Sequence, residues 1–389
     1  MKKDKNKSNI GEKLGTTLLC IVMFITSFFV GILIVKNPSS NSNLSTRISS
    51  LSLGINLLIL YFALYLQIII HECGHLIFGL LSGYKFLYFK IGNFMWIKID
   101  GKLKLKYVKI VGMGGQCIMT PPDLVDGKMP YFLYNLGGSI ANLIITLICL
   151  ALYIPFKDTR FLSAFLFVSL FSGIVFALCN SIPLKTSLIT NDGYNALHLG
   201  KDKEALYSLW AQLKLASYQA QNVRLKDLPS DLLYMPDSIT AKENVMTSSL
   251  GVFYANMLMD TQDFDKTVAT IDKLLDENYQ IVPLHKKLLI CDKIYCYILA
   301  DKSIDNLYDK EQKKFVKQMR KFPSVLRTEY AIELINSKDT KRADIILNTF
   351  DKISVRYPFS SDIESERELI NLAREYSTSQ SNDITSAQI

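Results

Sequence analysis

The sequence predicts an all-α polytopic membrane protein. About four transmembrane helices and a β-hairpin at the membrane surface are followed by a cytosolic α-helical domain. Three observations carry this. Of the 389 residues, 49% are hydrophobic, and the windows long and apolar enough to cross a bilayer all fall before residue 185. The whole basic surplus lies in the same half: residues 1–200 hold 18 Lys and Arg against 8 Asp and Glu, and residues 201–389 hold 26 against 28. Beyond residue 200 the pattern changes to charged segments of helical period.

The apolar windows are Leu14–Val35, Leu51–Leu81, Tyr131–Ile154 and Phe161–Leu184. The first follows a basic start, but its apolar stretch is long and no small-residue cleavage site closes it, so it reads as a retained anchor. Lys2, Lys3, Lys5, Lys7 and Lys13 precede it, and eight lysines lie between the second and third windows, whereas the other loops are lysine-poor. Juxtamembrane lysines favour the cytoplasm, so the amino terminus, the lysine-rich loop and the carboxy-terminal half are all expected there. The basic surplus is thus a matter of topology, and a nucleic-acid partner is not expected. Seven cysteines show no paired spacing, and Cys20, Cys73, Cys149 and Cys179 sit inside apolar windows, so reduced thiols are expected.

Glu72 is the only acidic residue between Glu12 and Asp100. It lies in "IIIHECGHLIFGLL", where a carboxylate surrounded by hydrocarbon is costly unless something compensates it. On a helix, His71 and His75 project from one face one turn apart, the geometry two imidazoles need to bind one zinc. Glu72 beside them is placed to take a proton from an attacking water and pass it to a leaving amine. His71 lies 20 residues after Leu51, about 30 Å at helical rise, which puts the histidines near the cytoplasmic interface. A catalytic zinc usually takes three protein ligands. His198 and His285 are candidates by type, but Asp192, just past the last apolar window and on the same side, is better placed. A zinc site completed by a later glutamate is disfavoured, because the third and fourth windows contain none.

At these residues the chain resembles the site-2 protease family of intramembrane zinc metalloproteases, over roughly residues 51–200. "HECGH" is similar to the family's H-E-x-G-H. "GGSIANL", Gly137 to Leu143, resembles its middle motif, and "NSIP…DG", Asn180 to Gly193, its last. The resemblance implies cleavage of transmembrane or membrane-associated peptides, with Zn2+ held by His71, His75 and Asp192 and with Glu72 as the base. It also implies that Asn142 steadies the substrate or the developing oxyanion and that Asn180 helps position the substrate. The last motif departs from the family: Asn180 and Asp192 are 12 residues apart, and "LKTSLIT" replaces a proline-rich run. The turn between the third and fourth windows leaves no room for the PDZ domain that one branch inserts.

"FKIGNFMWIKIDGKLKLKYVKIVGMGGQ" alternates apolar and polar residues about Asp100-Gly101 and predicts the hairpin, with Leu103, Leu105 and Tyr107 on one face and Lys104 and Lys106 on the other. In the resembled family such an element holds an extended substrate by strand addition, which implicates the glycine-rich end containing Gly114 and Gly115. Past residue 200, "FYANMLMDTQDFDKTVATIDKLL" and "EYAIELINSKDTKRADIILNTFDKI" align at an offset of 76, Tyr254 over Tyr330 and Asp263 over Asp339, with a weaker copy between them. This resembles tetratricopeptide-type helical hairpins, suited to a protein partner; an irregular helical bundle is the alternative.

The expected domains are therefore an anchor and loop (1–50), a membrane metalloprotease core (51–200), a helical-hairpin domain (201–378) and a disordered tail (379–389). The expected partners are a membrane peptide substrate, the lipid bilayer and a protein on the cytosolic helices. The competing reading is an inactive scaffold that binds membrane peptides, which would have no need for His71, Glu72 and His75.

Overall fold

The structure, a computed structural model, describes residues 42–99, 101–108, 114–185, 190–237, 239–277 and 279–386. The anchor expected over Leu14–Val35 lies outside them. The chain forms two compact units, one of residues 1–93 and 110–203, the other of residues 94–109 and 204–389.

In the first unit α1 (Ser42–Leu81), α2 (Phe132–Phe156) and α3 (Arg160–Ser181) pack against one another. Among the described residues, three helical stretches are long and apolar enough to cross a bilayer: Gly54–Leu81, Phe132–Phe156 and Phe161–Ser181. Their polarity is reversed relative to a water-soluble bundle. Gln67, Asn142, Thr146 and Ser169 are buried, while Leu58, Phe62, Leu147 and Ile154 are exposed. That distribution suits a hydrocarbon solvent, in which polar side chains must find partners inside the protein. The helices approach through glycine: a Cβ on Gly74 would stand 2.2 Å from the carbonyl oxygen of Gly137. At the end of α1, Gly83 adopts φ +83° and the Tyr84 N–H bonds back to the Gly79 carbonyl, which turns the chain into the first strand.

The strand region is richer than one hairpin. β1 (Lys85–Ile91) pairs antiparallel with β4 (Gly115–Thr120) in the first unit, from Lys85 opposite Thr120 to Ile91 opposite Gly115. The expected hairpin is β2 (Phe94–Ile99) with β3 (Lys102–Tyr107). Asp100 lies outside the described residues, and Gly101 takes φ +76°. Leu103, Leu105 and Tyr107 share the exposed face with Phe94 and Trp96. The hairpin groups with the second unit rather than with the membrane core, and Lys106 Nζ donates to the Pro358 carbonyl there.

Besides the hairpin, the main elements of the second unit are helices: α5 (Lys203–Ala220), which begins in the first unit's last residue, then α6 (Val245–Asp260), α7 (Phe264–Asp276), α8 (Pro283–Leu299), α9 (Lys310–Gln318), α10 (Pro323–Ala331), α11 (Thr340–Ser354) and α12 (Ser360–Ser386). A short α4 (Asp192–His198) precedes them in the first unit. The α6–α7 and α10–α11 connections are alike. Gln262 and Lys338, 76 residues apart, are both left-handed, and the next residues, Asp263 and Asp339, accept hydrogen bonds from the first-turn N–H groups of Lys266 and Arg342. The intermediate copy differs: Asp301 is left-handed, but the next cap is Asp309, so its connection is longer.

Arg327, 1% exposed, ties three helices together. Its guanidinium donates to Asp292 of α8 at 2.5 Å and to Glu366 of α12 at 2.9 Å, and lies 4.6 Å from the ring centre of Tyr295. The tail, expected to be disordered, is helical through Ser386. Despite its polar composition, Tyr376 and Gln380 fasten α12 to Asp301, at 2.6 and 2.9 Å.

Burial pushes the Asp362 carboxyl up to about 7, and Glu366 and Asp260 reinforce that against a hydrogen bond from Gln219. Its folded value lies above the unfolded one, so its contribution to stability is full below about pH 4 and lost as the pH rises to about 7. Relative to the parent, Asp362→Asn is therefore expected to be near neutral at about pH 4 and stabilising by roughly 2–4 kcal/mol at pH 8, as read by urea unfolding.

Candidate metal centre

Helical spacing along α1 brings the two imidazoles together as the sequence requires. His71 Nε2 and His75 Nε2 are 3.2 Å apart, and Asp192 Oδ2 lies 3.1 Å from the first and 3.3 Å from the second. Among the described residues these three form the one group of converging metal-ligand atoms. A tetrahedral ion with ligand bonds of 2.0–2.1 Å requires ligand atoms roughly 3.3 Å apart. The triangle therefore fits zinc.

The proton inventory supports the same conclusion. The Tyr134 carbonyl can only accept, so His75 Nδ1 donates to it, at 2.7 Å. Asn142 gives its amide N–H groups to the Gln67 carbonyl and side-chain oxygen, at 3.0 and 2.7 Å, which leaves its Oδ1 to accept from His71 Nδ1 at 2.9 Å. Gln67 is fixed in turn by donating to the Ser169 carbonyl at 3.0 Å. With both Nδ1 atoms carrying the proton, both neutral imidazoles turn a lone pair toward Asp192. The Asp192 carboxyl completes the set. It is an anion ready to act as a ligand.

Asn142 thus has partners other than those expected of an oxyanion group. Its side chain is fully buried, and both ends are used in orienting His71. Sequence reasoning missed Gln67 and Tyr134; the signal for Gln67 was a lone amide one helical turn before His71 in an apolar run.

Asp192 opens α4 (Asp192–His198), and its place depends on Asn191, which sequence reasoning also missed. Asn191 Oδ1 accepts from the N–H groups of Tyr194 and Leu184, at 3.0 and 2.9 Å, while Nδ2 donates to the Cys179 and Ile182 carbonyls. One side chain caps α4 and clamps it to the end of α3. Lys185 and Thr190 form an antiparallel bridge just ahead of Asn191. Gly193 is needed for the fit, since a Cβ there would lie 2.1 Å from the Ser181 carbonyl oxygen. Asn180 bonds back to the Phe176 carbonyl in its own helix. His198 stacks on Tyr194 and His285 belongs to the second unit, so neither joins the cluster.

Glu72 is buried beside the triangle and accepts a hydrogen bond from the Cys117 backbone. β4 passes so close that a Cβ on Gly115 would stand 2.7 Å from Glu72 Cγ. Gly114 faces Ile68, and its carbonyl accepts from the Gly92 N–H. Among the described residues of the first unit β4 has β1 as its one strand partner, and the Cys117 backbone also donates to Glu72 and accepts from the Tyr134 hydroxyl, at 3.0 Å. Across α2, a Cβ on Gly138 would lie 2.4 Å from the His71 ring. Gly138→Ala should therefore displace His71 and weaken zinc binding by at least about tenfold in chelator competition, whereas Ser139→Ala, one residue on, should not.

No curated protein and no solved structure is significantly similar to the chain. Residues 59–348 match the family model of peptidase family M50, a span that includes both helix-borne histidines, Glu72, Asn142 and Asp192. The chain belongs to peptidase family M50.

Proposed function

We propose that the protein is an intramembrane zinc metalloendopeptidase that hydrolyses transmembrane or membrane-associated peptides. The observation that carries this reading is the His71, His75, Asp192 triangle of tetrahedral dimensions with Glu72 beside it, between helices apolar enough to span a bilayer. Zinc bound there would supply Lewis acidity toward the scissile carbonyl and acidify a water.

The chain's own residues do the rest. Glu72 takes the proton of the attacking water and delivers it to the departing amine nitrogen, and the Cys117 backbone keeps its carboxylate aimed. Asn142 is a positioning residue that fixes the tautomer and tilt of His71. The side of β4 that β1 does not cover runs beside Glu72, and backbone groups near Gly115 would meet an extended substrate there. Lysine distribution orients the site toward the cytoplasm, where the helical hairpins of the second unit would meet a substrate or protein partner. Membrane-anchored regulators, signal-peptide remnants and peptide precursors all have the chemistry this site accepts.

The test is zinc content and cleavage of a panel of transmembrane peptides by detergent-purified protein, beside Glu72→Gln and Asp192→Ala. The expected result is one zinc per chain in parent and Glu72→Gln, cleavage lowered roughly 10²- to 10⁴-fold in Glu72→Gln, and zinc lost from Asp192→Ala. Full zinc and turnover in Asp192→Ala would overturn the ligand assignment.

A further inference from the structure

The second unit encloses a cavity of about 180 Å³ between α5, α6, α8, α10 and α12, at a distance in sequence from every residue of the metal centre. At roughly 30 Å³ per water it has room for about six, or for one long side chain. Phe253, Leu288 and Phe322 supply apolar wall, and Asp260, Asp292, Asp362 and Glu366 supply carboxylates.

The charges do not balance. Arg327 is shared between Asp292 and Glu366. Asp260 is held by Arg224, which also binds Glu368 outside the cavity wall. Among the described residues Asp362 pairs with no cation; its hydrogen-bond partner is the neutral amide of Gln219 at 3.2 Å. Four carboxylates on the wall thus meet two guanidinium groups, one of them shared outward. The raised Asp362 carboxyl is the consequence expected of an acid buried without a counter-ion. A second, independent observation comes from Ser361, which lines the cavity, is 1% exposed, and among the described residues finds no hydrogen-bond partner for its Oγ.

These carboxylates are not a metal cage, because among the described residues the one converging set of ligand atoms is at the metal centre. Spread over the wall of a half-apolar chamber, they suit a larger, softer cation with several donors and a hydrocarbon stem. We propose that this cavity is a binding site for an organic cation of that class, an arginine-like guanidinium on an alkyl stem, whose head is held by Asp362 and whose stem packs on Phe253 and Phe322. The same chemistry can come from a basic side chain of a peptide or from a free small molecule.

The test is isothermal titration calorimetry on the full chain in detergent with three probes: acetyl-Gly-Arg-Gly-amide, agmatine, and the citrulline analogue of the peptide, which keeps the shape and removes the charge. Saturable binding of the arginine peptide or of agmatine is expected, with the citrulline peptide at least about tenfold weaker. Asp362→Asn should lower affinity roughly ten- to a hundredfold, the scale of one charge-assisted hydrogen bond, with circular dichroism unchanged. Binding of the peptide alone assigns the site to a protein segment, and equal binding of agmatine assigns it to a free cation. No saturable binding of either cationic probe, or equal binding of the citrulline peptide, would overturn the proposal. The citrulline comparison uses the parent protein, so it decides the matter even where the variant fails to fold.

Discussion

Three electron-rich atoms held 3.1 to 3.3 Å apart in a low-dielectric interior repel one another unless a cation lies among them. Much of the first unit is arranged to enforce that proximity. Each histidine has its Nδ1 proton committed to an oxygen that cannot turn away, one on the backbone of α2 and one on an asparagine pinned by Gln67. The chain of bonds from the Ser169 carbonyl through Gln67 and Asn142 to His71 crosses all three long helices. Helix packing and ligand orientation are therefore one network, and a polar network of this kind in hydrocarbon is favourable only when every member is satisfied.

Glycine supplies the complementary half of the design. Gly74 and Gly137 let α1 and α2 touch backbone to backbone, Gly138 leaves room for the His71 ring, Gly115 lets a strand pass Glu72, and Gly193 seats Asp192 against the end of α3. At each position a single methyl group would collide with a backbone atom or with a site residue. The site has no slack around it. The second unit shows the opposite economy, in which buried charges such as Arg327 are accommodated by pairing across helices.

What was legible in the sequence follows from the range of the interactions involved. His71, Glu72 and His75 are readable because their geometry is local to one helix, and the β2–β3 hairpin because strand alternation and a glycine turn are local too. Asp192 was readable because it lies just past the last apolar window, beside a helix end that the chain brings to the histidines. Asn191, Gln67 and Tyr134 were not, because they act through backbone atoms of distant elements, and no pattern along the chain marks which carbonyl a side chain will meet. The β1–β4 pair escaped for a similar reason, since its strands are separated by the hairpin. The ordered end of α12 depends on Asp301, far away in sequence, and composition alone pointed to disorder.

The bridge between Lys185 and Thr190 separates two lengths that are easily confused, the contour along the chain from α3 to Asp192 and the span in space that the ligand must cover. Asn191 sets the second by itself, by grasping the helix end from the far side of the excursion. A spacing rule between the two halves of the motif thus measures loop contour, whereas the quantity under physical constraint is the clamp.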